Sequence, residues 1–486
     1  MASGTWLGID LGTSSVKTIL IDESQRVLAS ANAPMEVSRP QPNWSEQAPE
    51  DWWRAAQTTL DELAAQHPSH MANVQGIGLS GHMHGATLLD SSDQVLRPCI
   101  LWNDGRSAIE CDELDRRADF RGIGGNLVMP GFTAPKLEWV RKHEPDIFAQ
   151  IAKVLLPKDY LRLCLTGEHL SEMSDSAGTL WLDVAQRAWS ADLLAATGLT
   201  ASHMPTLVEG SAAAGRLRPE LAARWGMTTP PVLAGGGGDN AASAAGVGAV
   251  RPGTGFASLG TSGVLFMATD GLRPNTEEAV HAFCHAVPEV WHQMGVILSA
   301  TDTLNWLARM TGRDPSVLTE GIDARAPAEA PLTFLPYLSG ERTPHNNAAA
   351  RGALVGMSQA TEVSDLARAA IEGVAYAFVD SLDALKAAGT HADQVYAIGG
   401  GARSAAWVQM IADACDLALL IPSDGDFGGA FGAARLAFAA SEAADPIEVL
   451  SPAPVQRTIT PNADMQGYHA DNVARYRALY GGTQSA

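Results

Sequence analysis

The tetrapeptide Leu-Gly-Thr-Ser occurs twice in this chain, at residues 11–14 and 259–262, and no other feature constrains the fold as strongly. Each copy stands between two apolar runs that are typical of strands, and Asp22 after the first copy matches Asp270 after the second. The spacing far exceeds the period of about 20 to 50 residues that solenoid repeats have. The duplication therefore predicts two similar domains, each of which opens with a strand, a tight turn and a returning strand.

Both turns combine backbone N–H groups with hydroxyls, which are the components of an anion-binding nest. Two such turns that face each other across a cleft would hold the phosphates of a nucleotide from both sides. Chance similarity is the alternative, since Gly/Ser turns join many hairpins that bind no ligand. The chain contains neither the P-loop pattern nor the dinucleotide-binding Gly-x-Gly-x-x-Gly pattern after a strand, so a nucleotide would have to use the split turns.

Four consecutive glycines at residues 235–238 follow a short apolar run and end at Asp239. Glycines let a ligand approach the main chain closely, so they would present one acidic side chain at the end of a bare platform. This makes Asp239 the candidate catalytic base. In the alternative interpretation, the glycines form an ordinary turn and Asp239 caps the Ala-rich helix that follows.

Polar residues follow the predicted strand at residues 74–80, which leads into Gly-His-Met-His-Gly. In open α/β sheets ligands bind beyond strand ends, so we expect His84 to contact a polar substrate. His82 and His84 also have the spacing of a metal pair, but no third ligand stands at a recognisable distance. A structural histidine is the further alternative. In the helix that opens near residue 133, Lys136 and Trp139 are interpreted as helix-surface and packing residues.

A third glycine turn, at residues 399–401, lies between a predicted strand at 394–398 and a predicted helix at 405–415. This arrangement is typical of a nucleotide that lies close to the backbone. Upstream, the pattern predicts an Ala/Pro linker at residues 326–331 and an amphipathic helix at 364–388 with Ser364 as its N-cap.

Composition limits the class of protein. With 46% hydrophobic and 18% charged residues, the chain is expected to fold as a soluble protein of about two to four domains. Its formal charge of -21 disfavours nucleic acid and anionic membranes as partners, because no basic stripe is present to release counterions. Five widely spaced cysteines without a Cys-x-x-Cys pair, no signal-like N-terminus and no apolar run of about 18 residues predict a cytoplasmic location without a membrane role.

The order of these elements resembles the FGGY family of carbohydrate kinases over nearly the whole chain, and its xylulokinase branch in particular. The family signatures are matched by Gly131-x-Thr133-x-x-Lys136-Leu-x-Trp139-Val and by residues 371–376, and the branch motifs by residues 44–47, 83–85, 101–106 and 339–344. The resemblance implies an α/β fold of two ribonuclease-H-like domains of the actin/hexokinase superfamily with an intervening cleft. Residues 1–248 would form the N-terminal, sugar-binding domain and residues 249–486 the C-terminal, ATP-binding domain.

By the same resemblance, the protein would phosphorylate the C5 hydroxyl of D-xylulose with ATP and Mg²⁺, and Asp239 would be the general base. Asp10 would hold Mg²⁺ through water, and a homodimer is implied as well. The implied sugar contacts are Asp239, Met83, His84 and Asn240. The implied ATP contacts are Thr13, Lys17, Gly260, Thr261, Gly400, Gly401 and Ala402.

The match departs from the family at His82, where relatives usually carry Gln, and this change beside the sugar site leaves the choice of sugar open. The alternatives are a kinase for another ketose or polyol such as ribulose, an actin-like ATPase and a catalytically inactive sugar-sensing regulator. The polar strand end at residues 83–84 and the glycine platform of Asp239 disfavour the ATPase. Retention of Asp10, Asp239 and both phosphate turns disfavours the regulator.

Overall fold

Two large mixed β-sheets organise the chain. The computed structural model describes residues 4–327, 332–423 and 428–483, so residues 328–331 of the predicted linker lie outside the described part. In chain order the strands are Thr5–Leu11 (β1), Ser15–Asp22 (β2), Val27–Pro34 (β3), Glu46–Gln47 (β4), Val74–Gly81 (β5), Thr87–Leu89 (β6), Cys99–Ile100 (β7), Lys153–Leu155 (β8), Leu170–Glu172 (β9), Leu182–Asp183 (β10), Ala188–Trp189 (β11), Thr206–Val208 (β12), Ala213–Arg216 (β13), Val232–Ala234 (β14), Gly237–Gly238 (β15), Gly255–Leu259 (β16), Gly263–Thr269 (β17), His281–Cys284 (β18), Trp291–Ile297 (β19), Thr333–Leu335 (β20), Ala353–Val355 (β21), Gln394–Ile398 (β22), Ala418–Pro422 (β23) and Val455–Ile459 (β24).

The two sheets repeat one arrangement of strands. The N-terminal sheet has the order β13-β14-β5-β1-β2-β3, with β15 paired to β5, and the C-terminal sheet has the order β18-β19-β17-β16-β22-β23-β24. In the first sheet the antiparallel hairpin β1-β2 continues through β1 into a parallel pair with β5. In the second, the hairpin β16-β17 continues through β16 into a parallel pair with β22. The duplication that the two Leu-Gly-Thr-Ser turns predict is therefore confirmed in the topology.

Helices cover both sheets. In chain order the α-helices are Pro49–Gln66 (α1), Pro68–Met71 (α2), Ala108–Asp115 (α3), Phe120–Gly124 (α4), Thr133–His143 (α5), Pro145–Phe148 (α6), Pro157–Thr166 (α7), Met173–Ala177 (α8), Ala191–Ala196 (α9), Pro219–Arg224 (α10), Asp239–Val247 (α11), Thr301–Thr311 (α12), Pro315–Thr319 (α13), Val363–Ala387 (α14), Ala405–Cys415 (α15), Gly429–Glu442 (α16), Pro446–Val449 (α17) and Gln466–Thr483 (α18). Short 3₁₀ turns occupy Ala201–His203, Gly400–Arg403 and Ala463–Met465.

The long amphipathic helix that the sequence predicts is α14, but its predicted N-cap is wrong. The cap is Glu362, two residues before Ser364, and the backbone N–H of Glu362 donates to Asp365 Oδ2 at 2.8 Å. A carboxylate three residues into a helix that reaches back to the cap satisfies a backbone donor that the helix itself leaves free. This hydrogen bond places the start of the helix earlier than Ser364 indicates.

Helix α16 comes from the C-terminal third of the chain, yet it lies on the N-terminal sheet. A Cβ atom on Gly8 of β1 would stand 1.9 Å from the carbonyl oxygen of Ala430, so only glycine permits this contact. At the beginning of α16, a Cβ on Gly429 would stand 3.0 Å from Oδ1 of Asp10. The packing of α16 therefore brings a late segment of the chain to the end of β1.

The apolar side chains of both sheets are buried in extensive cores. Leu7, Ile9, Ile77 and Leu79 of the N-terminal sheet have no exposed surface. Burial of such side chains is the main source of stability for a chain of this kind. Within the described residues, no helix has the length and apolar character needed to cross a bilayer.

Candidate active site

The carboxyl ends of β1, β5 and β15 meet at one edge of the N-terminal sheet. The parallel register places Asp10 opposite Ser80, and Ser80 opposite Gly237. Ser80 Oγ donates a hydrogen bond of 2.8 Å to Oδ1 of Asp10. Because Asp239 follows Gly237 by two residues, the sheet delivers Asp10 and Asp239 to the same edge. Ligand sites in open α/β sheets lie at such edges.

Asp239 is the first residue of α11, and its carboxylate is half-buried. Its Oδ1 accepts hydrogen bonds from the backbone N and from Nδ2 of Asn240, at 2.7 and 2.9 Å. Burial and, to a smaller extent, the negative charge of Asp10 raise the pKa of Asp239 to about 6, against the two Asn240 bonds that lower it. The N-cap of α11 is Gly238, so the alternative in which Asp239 caps the helix is wrong.

The glycines before Asp239 are required by their neighbours. Gly236 has a left-handed φ of 77°, and a Cβ there would lie 2.1 Å from the carbonyl oxygen of Leu79. A Cβ on Gly238 would lie 3.0 Å from Cγ and Sδ of Met83. The backbone N–H of Gly238 donates to Oγ of Ser174 at 3.1 Å. The platform of Asp239 is thus packed directly against Met83.

His84 has a left-handed backbone with a φ of 70°. Its ring Nδ1 lies 2.7 Å from the carbonyl oxygen of Gly178, and its own carbonyl oxygen accepts bonds of 3.1 Å from Oγ1 of Thr133 and from Nζ of Lys136. Burial and, to a smaller extent, the charge of Lys136 lower the pKa of His84 to about 3. His84 is therefore a neutral, fixed side chain beside Met83.

The interpretation of Lys136 as a helix-surface residue is wrong. Its side chain has no exposed surface, and its ammonium donates to the carbonyl oxygens of Gly131, Phe132 and His84. Burial lowers the pKa of Lys136 to about 7. A buried ammonium is tolerated when hydrogen bonds replace its water. Trp139 in the same helix is 8% exposed, in agreement with a packing role.

His82 points into the protein. It is 3% exposed, its ring packs edge-on to Trp52 at 5.5 Å between centroids, and its backbone N–H donates to the carbonyl oxygen of Leu11 at 2.9 Å. Burial lowers the pKa of His82 to about 3, so the ring is neutral. In the described part of the chain, no group of three His, Cys, Asp or Glu side chains is placed to hold a metal ion.

The first Leu-Gly-Thr-Ser turn stands beside Asp10. Lys17 is directly opposite Asp10 in the β1-β2 register, so both side chains lie on one face of the sheet. The indole Nε1 of Trp102 donates to Oγ1 of Thr13 at 3.1 Å, although Trp102 is 42% exposed. The carbonyl oxygen of Thr13 accepts a bond of 2.8 Å from Nε2 of Gln47. The turn is therefore held from both sides.

The second turn lies against the glycine loop after β22. The carbonyl oxygen of Gly260 accepts bonds from N and Oγ1 of Thr301, at 2.9 and 2.8 Å, and that of Thr261 accepts the N–H of Ala300 at 2.8 Å. Gly399 has a φ of 88°, and a Cβ there would lie 2.8 Å from the carbonyl oxygen of Leu259. The structure thus brings Gly260 and Thr261 next to the 399–401 loop.

Two cavities flank this loop. One of about 810 Å³ is lined by Gly400, Gly401 and Thr301, with Trp407 at its wall. The other, of about 950 Å³, is lined by Gly400 and Ala402 and by Ser243 of α11. Ser243 stands four residues after Asp239 on the same helix, and residues at this spacing share a helix face. The second cavity therefore joins the helix that carries Asp239 to the glycine loop.

Several residues of this region were not identified from sequence. Ser80, which bonds Asp10, ends a predicted strand, and that position is the only sequence signal for it. Arg342 lies in the recognised motif at residues 339–344, but sequence gives it no role. Its Nη1 stands 3.3 Å from Nε2 of His281. No sequence pattern marks His281 or Ser174.

The family is decided by two models that together cover most of the chain. The model for the N-terminal domain of the FGGY family of carbohydrate kinases matches residues 5–246, and the model for the C-terminal domain matches residues 255–441. The chain belongs to the FGGY family of carbohydrate kinases.

This FGGY kinase is 51% identical over 479 residues to the xylulose kinase of Escherichia coli strain K12, with 98% of each chain covered. It is 50% identical over 469 residues to the xylulose kinase of Klebsiella pneumoniae, with 96% of each chain covered. A xyloylose kinase structure from Brucella ovis matches with a TM-score of 0.96 and 54% identity over 99% of each chain. The glycerol kinase of Plasmodium falciparum shares the fold, with a TM-score of 0.86 and 18% identity over 98% of each chain. The expected two-domain α/β kinase fold is confirmed.

Proposed function

We propose that this FGGY kinase transfers the γ-phosphoryl group of ATP to the C5 hydroxyl of D-xylulose, with Asp239 as the general base. The names of the relatives at 50% and 51% identity support the substrate. The main support for Asp239 as the general base is its position on the glycine platform, at the sheet edge where Asp10 also lies. The products are D-xylulose 5-phosphate and ADP.

Asp239 acts on the acceptor hydroxyl. A bond forms between O5 of the sugar and the γ-phosphorus, the bond from that phosphorus to the bridging oxygen of ADP breaks, and Asp239 accepts the proton of the hydroxyl. The transition state of phosphoryl transfer is loose, so the base is needed late and an ordinary carboxylate suffices. With a pKa of about 6, Asp239 is about nine-tenths ionised at pH 7.

The residues present fit a magnesium ion. Asp10 and Asp239 are two carboxylates at one sheet edge, and the charge of Asp10 disfavours ionisation of Asp239. Mg²⁺ is held in many kinases by one or two carboxylates together with phosphate oxygens and waters, and Asp10 would supply a carboxylate of this kind. When bound, the ion would neutralise charge on the β- and γ-phosphates.

The nucleotide contacts divide between the two halves of the chain. Thr13 and Lys17 would approach the phosphates from residues 1–248, which we assign to the sugar side. Gly260 and Thr261 would approach them from residues 249–486, which we assign to ATP. We assign the adenosine contacts to Gly400, Gly401 and Ala402. The two cavities on either side of their loop support this assignment.

The sugar contacts are Met83, His84 and Asn240, together with Asp239. Nδ2 of Asn240 donates to Oδ1 of Asp239, so Oδ1 of Asn240 is the atom that would accept a hydrogen bond from a hydroxyl of the sugar. His84 is neutral and fixed by Gly178, which suits it to hydrogen-bond a neutral polyhydroxy compound. Met83 supplies the apolar floor against Gly238.

Coupled ADP release tests the proposal. Wild-type protein with ATP and Mg²⁺ is assayed with D-xylulose, L-xylulose, D-ribulose, L-ribulose, glycerol and no sugar. A strong preference for D-xylulose is expected, and it would make His82 a tolerated change. Preference for another acceptor would keep the kinase activity but overturn the substrate, whereas ADP release that is independent of sugar would overturn both.

A further inference from the structure

The loop at residues 339–344 is tied firmly to the C-terminal sheet. Glu341, which is 1% exposed, accepts at Oε1 the N–H groups of Leu298 and Arg342, at 2.9 and 2.7 Å. Oγ1 of Thr343 accepts the N–H of Val296 at 3.0 Å and donates to the carbonyl oxygen of Ala279 at 3.1 Å. The backbone on both sides of Arg342 is therefore fixed, so the side chain of Arg342 projects from a rigid segment of main chain.

The guanidinium of Arg342 extends toward the N-terminal half. Its Nη1 lies 3.3 Å from Nε2 of His281, and Nδ1 of His281 lies 3.3 Å from Oδ1 of Asn126. Because a guanidinium only donates, Nε2 of His281 accepts and its Nδ1–H donates to Asn126. Asn126 is held in turn by the carbonyl oxygens of Gly124 and Ala282. The chain of bonds fixes the direction of Arg342.

Most N–H donors of the Arg342 side chain make no hydrogen bond to the residues that the structure describes. A guanidinium carries five N–H donors. Among the residues that the structure describes, only His281 takes a hydrogen bond from the side chain of Arg342. The side chain of Arg342 is partly exposed, so a ligand can approach it.

The partner of Arg342, His281, belongs to the same cluster of rings as His84. The ring of His84 lies 4.7 Å from that of Phe132 and 6.2 Å from that of Phe283, and the ring of Phe132 lies 5.5 Å from that of His281. The charge of Arg342 is close enough to lower the pKa of His84, whereas the charged group that acts on Asp239 is Asp10. Arg342 therefore lies on the His84 side of the site, connected to His84 through His281 and Phe132.

His84 presents the complementary group. Its Nδ1 carries the proton, because the carbonyl oxygen of Gly178 at 2.7 Å can only accept. The neutral ring then leaves Nε2 as a bare acceptor. A donor from Arg342 and an acceptor from His84 on the same side of the site would match a carbonyl oxygen and its neighbouring hydroxyl, which form the C2 and C1 end of a 2-ketose.

We propose that Arg342 is a specificity-determining residue that donates to the C2 carbonyl oxygen of the sugar while His84 Nε2 accepts the adjacent C1 hydroxyl. The inference rests on the proposed function, since it requires that the other end of a pentulose lie at Asp239. It assigns the recognition of the ketone to the C-terminal half of the chain. Residues of both the N-terminal and the C-terminal half of the chain would then contact the sugar.

The test compares D-xylulose with xylitol, which has a hydroxyl in place of the ketone. For wild type and Arg342→Gln, the KM for D-xylulose and the inhibition constant of xylitol against D-xylulose are measured. Arg325→Gln is the matched control, because Arg325 is an 82% exposed arginine of the same half. The KM for ATP and the sugar-independent release of ADP report whether the variant is folded. Arg342→Lys replaces Arg342→Gln if the latter does not fold.

We expect Arg342→Gln to raise the KM for D-xylulose by about 10- to 100-fold, as the loss of a charge-assisted hydrogen bond does, and to change the xylitol constant by less than about threefold. Equal losses for both compounds would overturn the role of Arg342, and so would an unchanged KM for D-xylulose. If wild-type protein does not phosphorylate D-xylulose, the proposed function itself fails.

Discussion

Asp10 and Asp239 stand at one edge of the N-terminal sheet, and the charge of Asp10 adds to burial in raising the pKa of Asp239 to about 6. Burial is the larger cause. Two carboxylates placed in this way repel each other, so the charge of Asp10 disfavours ionisation of Asp239. The same arrangement gives the proposed base a pKa near neutrality, where proton acceptance from a hydroxyl is most effective.

The raised pKa predicts the acid side of the pH profile. Protonated Asp239 accepts no proton, so kcat/KM at low concentrations of both substrates should fall about tenfold per pH unit below about pH 6. Asp10→Asn removes one cause of the shift and should lower the pKa of Asp239, which ¹³C NMR of the ligand-free protein measures. An acid limb near pH 4, or a pKa that Asp10→Asn leaves in place, would contradict this account.

Lys136 is predicted to support the sugar site. Lys136→Met removes the bonds to the carbonyl oxygens of Gly131, Phe132 and His84, so His84 loses part of the support for its left-handed backbone. We expect the KM for D-xylulose to rise about tenfold and the melting temperature to fall, with little change in the KM for ATP. Lys142→Met is the control, because Lys142 in the same helix pairs with Glu113 near the surface, where ion pairs contribute little to stability. An unchanged KM for D-xylulose would rule out the supporting role.

Gly400 tests the nucleotide side. A Cβ at Gly400 meets no atom within 4 Å, so Gly400→Val should fold normally while its side chain enters both cavities beside the loop. We expect the KM for ATP to rise by about tenfold or more, as for a lost ligand contact, and the KM for the sugar to stay constant. Gly271→Val is the matched control, since a Cβ there also meets nothing within 4 Å. Equal behaviour of the two variants would place ATP elsewhere.

Gly432 tests the contact between α16 and α11. A Cβ on Gly432 would lie 1.7 Å from the carbonyl oxygen of Ala242, so Gly432→Ala must separate two closely packed helices. We expect a loss of at least about 3 kcal/mol in the free energy of unfolding. Gly467 in α18 has nothing within 4 Å, and Gly467→Ala should stabilise by up to about 1 kcal/mol. Thermal unfolding of both variants measures the difference in stability, and similar melting temperatures would refute the packing argument.

The local parts of the fold could be predicted from the sequence because their signals are local. The duplicated turns, the strand at 394–398 and the helix at 405–415 follow from apolar runs and glycine turns, and the structure has them as β22 and Ala405–Cys415. The position of α16 on the N-terminal sheet could not be predicted, since it depends on contacts between residues more than 400 apart, such as Gly8 and Ala430.

Two side chains show why the site was only partly predictable. A lysine in a helix is usually at the surface, and Lys136 is buried only because carbonyl groups of separate segments surround its ammonium. Arg342 lies in a recognised motif, but its direction is set by His281 and Asn126, which are distant in sequence. The roles of Asp239, Met83, His84 and Asn240 stay predictions until variants are measured.

The central claim is that Asp239 is the base in phosphorylation of D-xylulose at C5, and one measurement tests it most directly. Wild-type protein and Asp239→Asn are supplied with D-xylulose, ATP and Mg²⁺, product formation is timed, and the product is examined by ¹H–³¹P correlation NMR. The account predicts phosphorus coupled to the two C5 protons, and a kcat for Asp239→Asn that is lower by about 10²- to 10⁴-fold with little change in the KM for ATP. Phosphorus on C1, or an Asp239→Asn variant with the wild-type kcat, would contradict it.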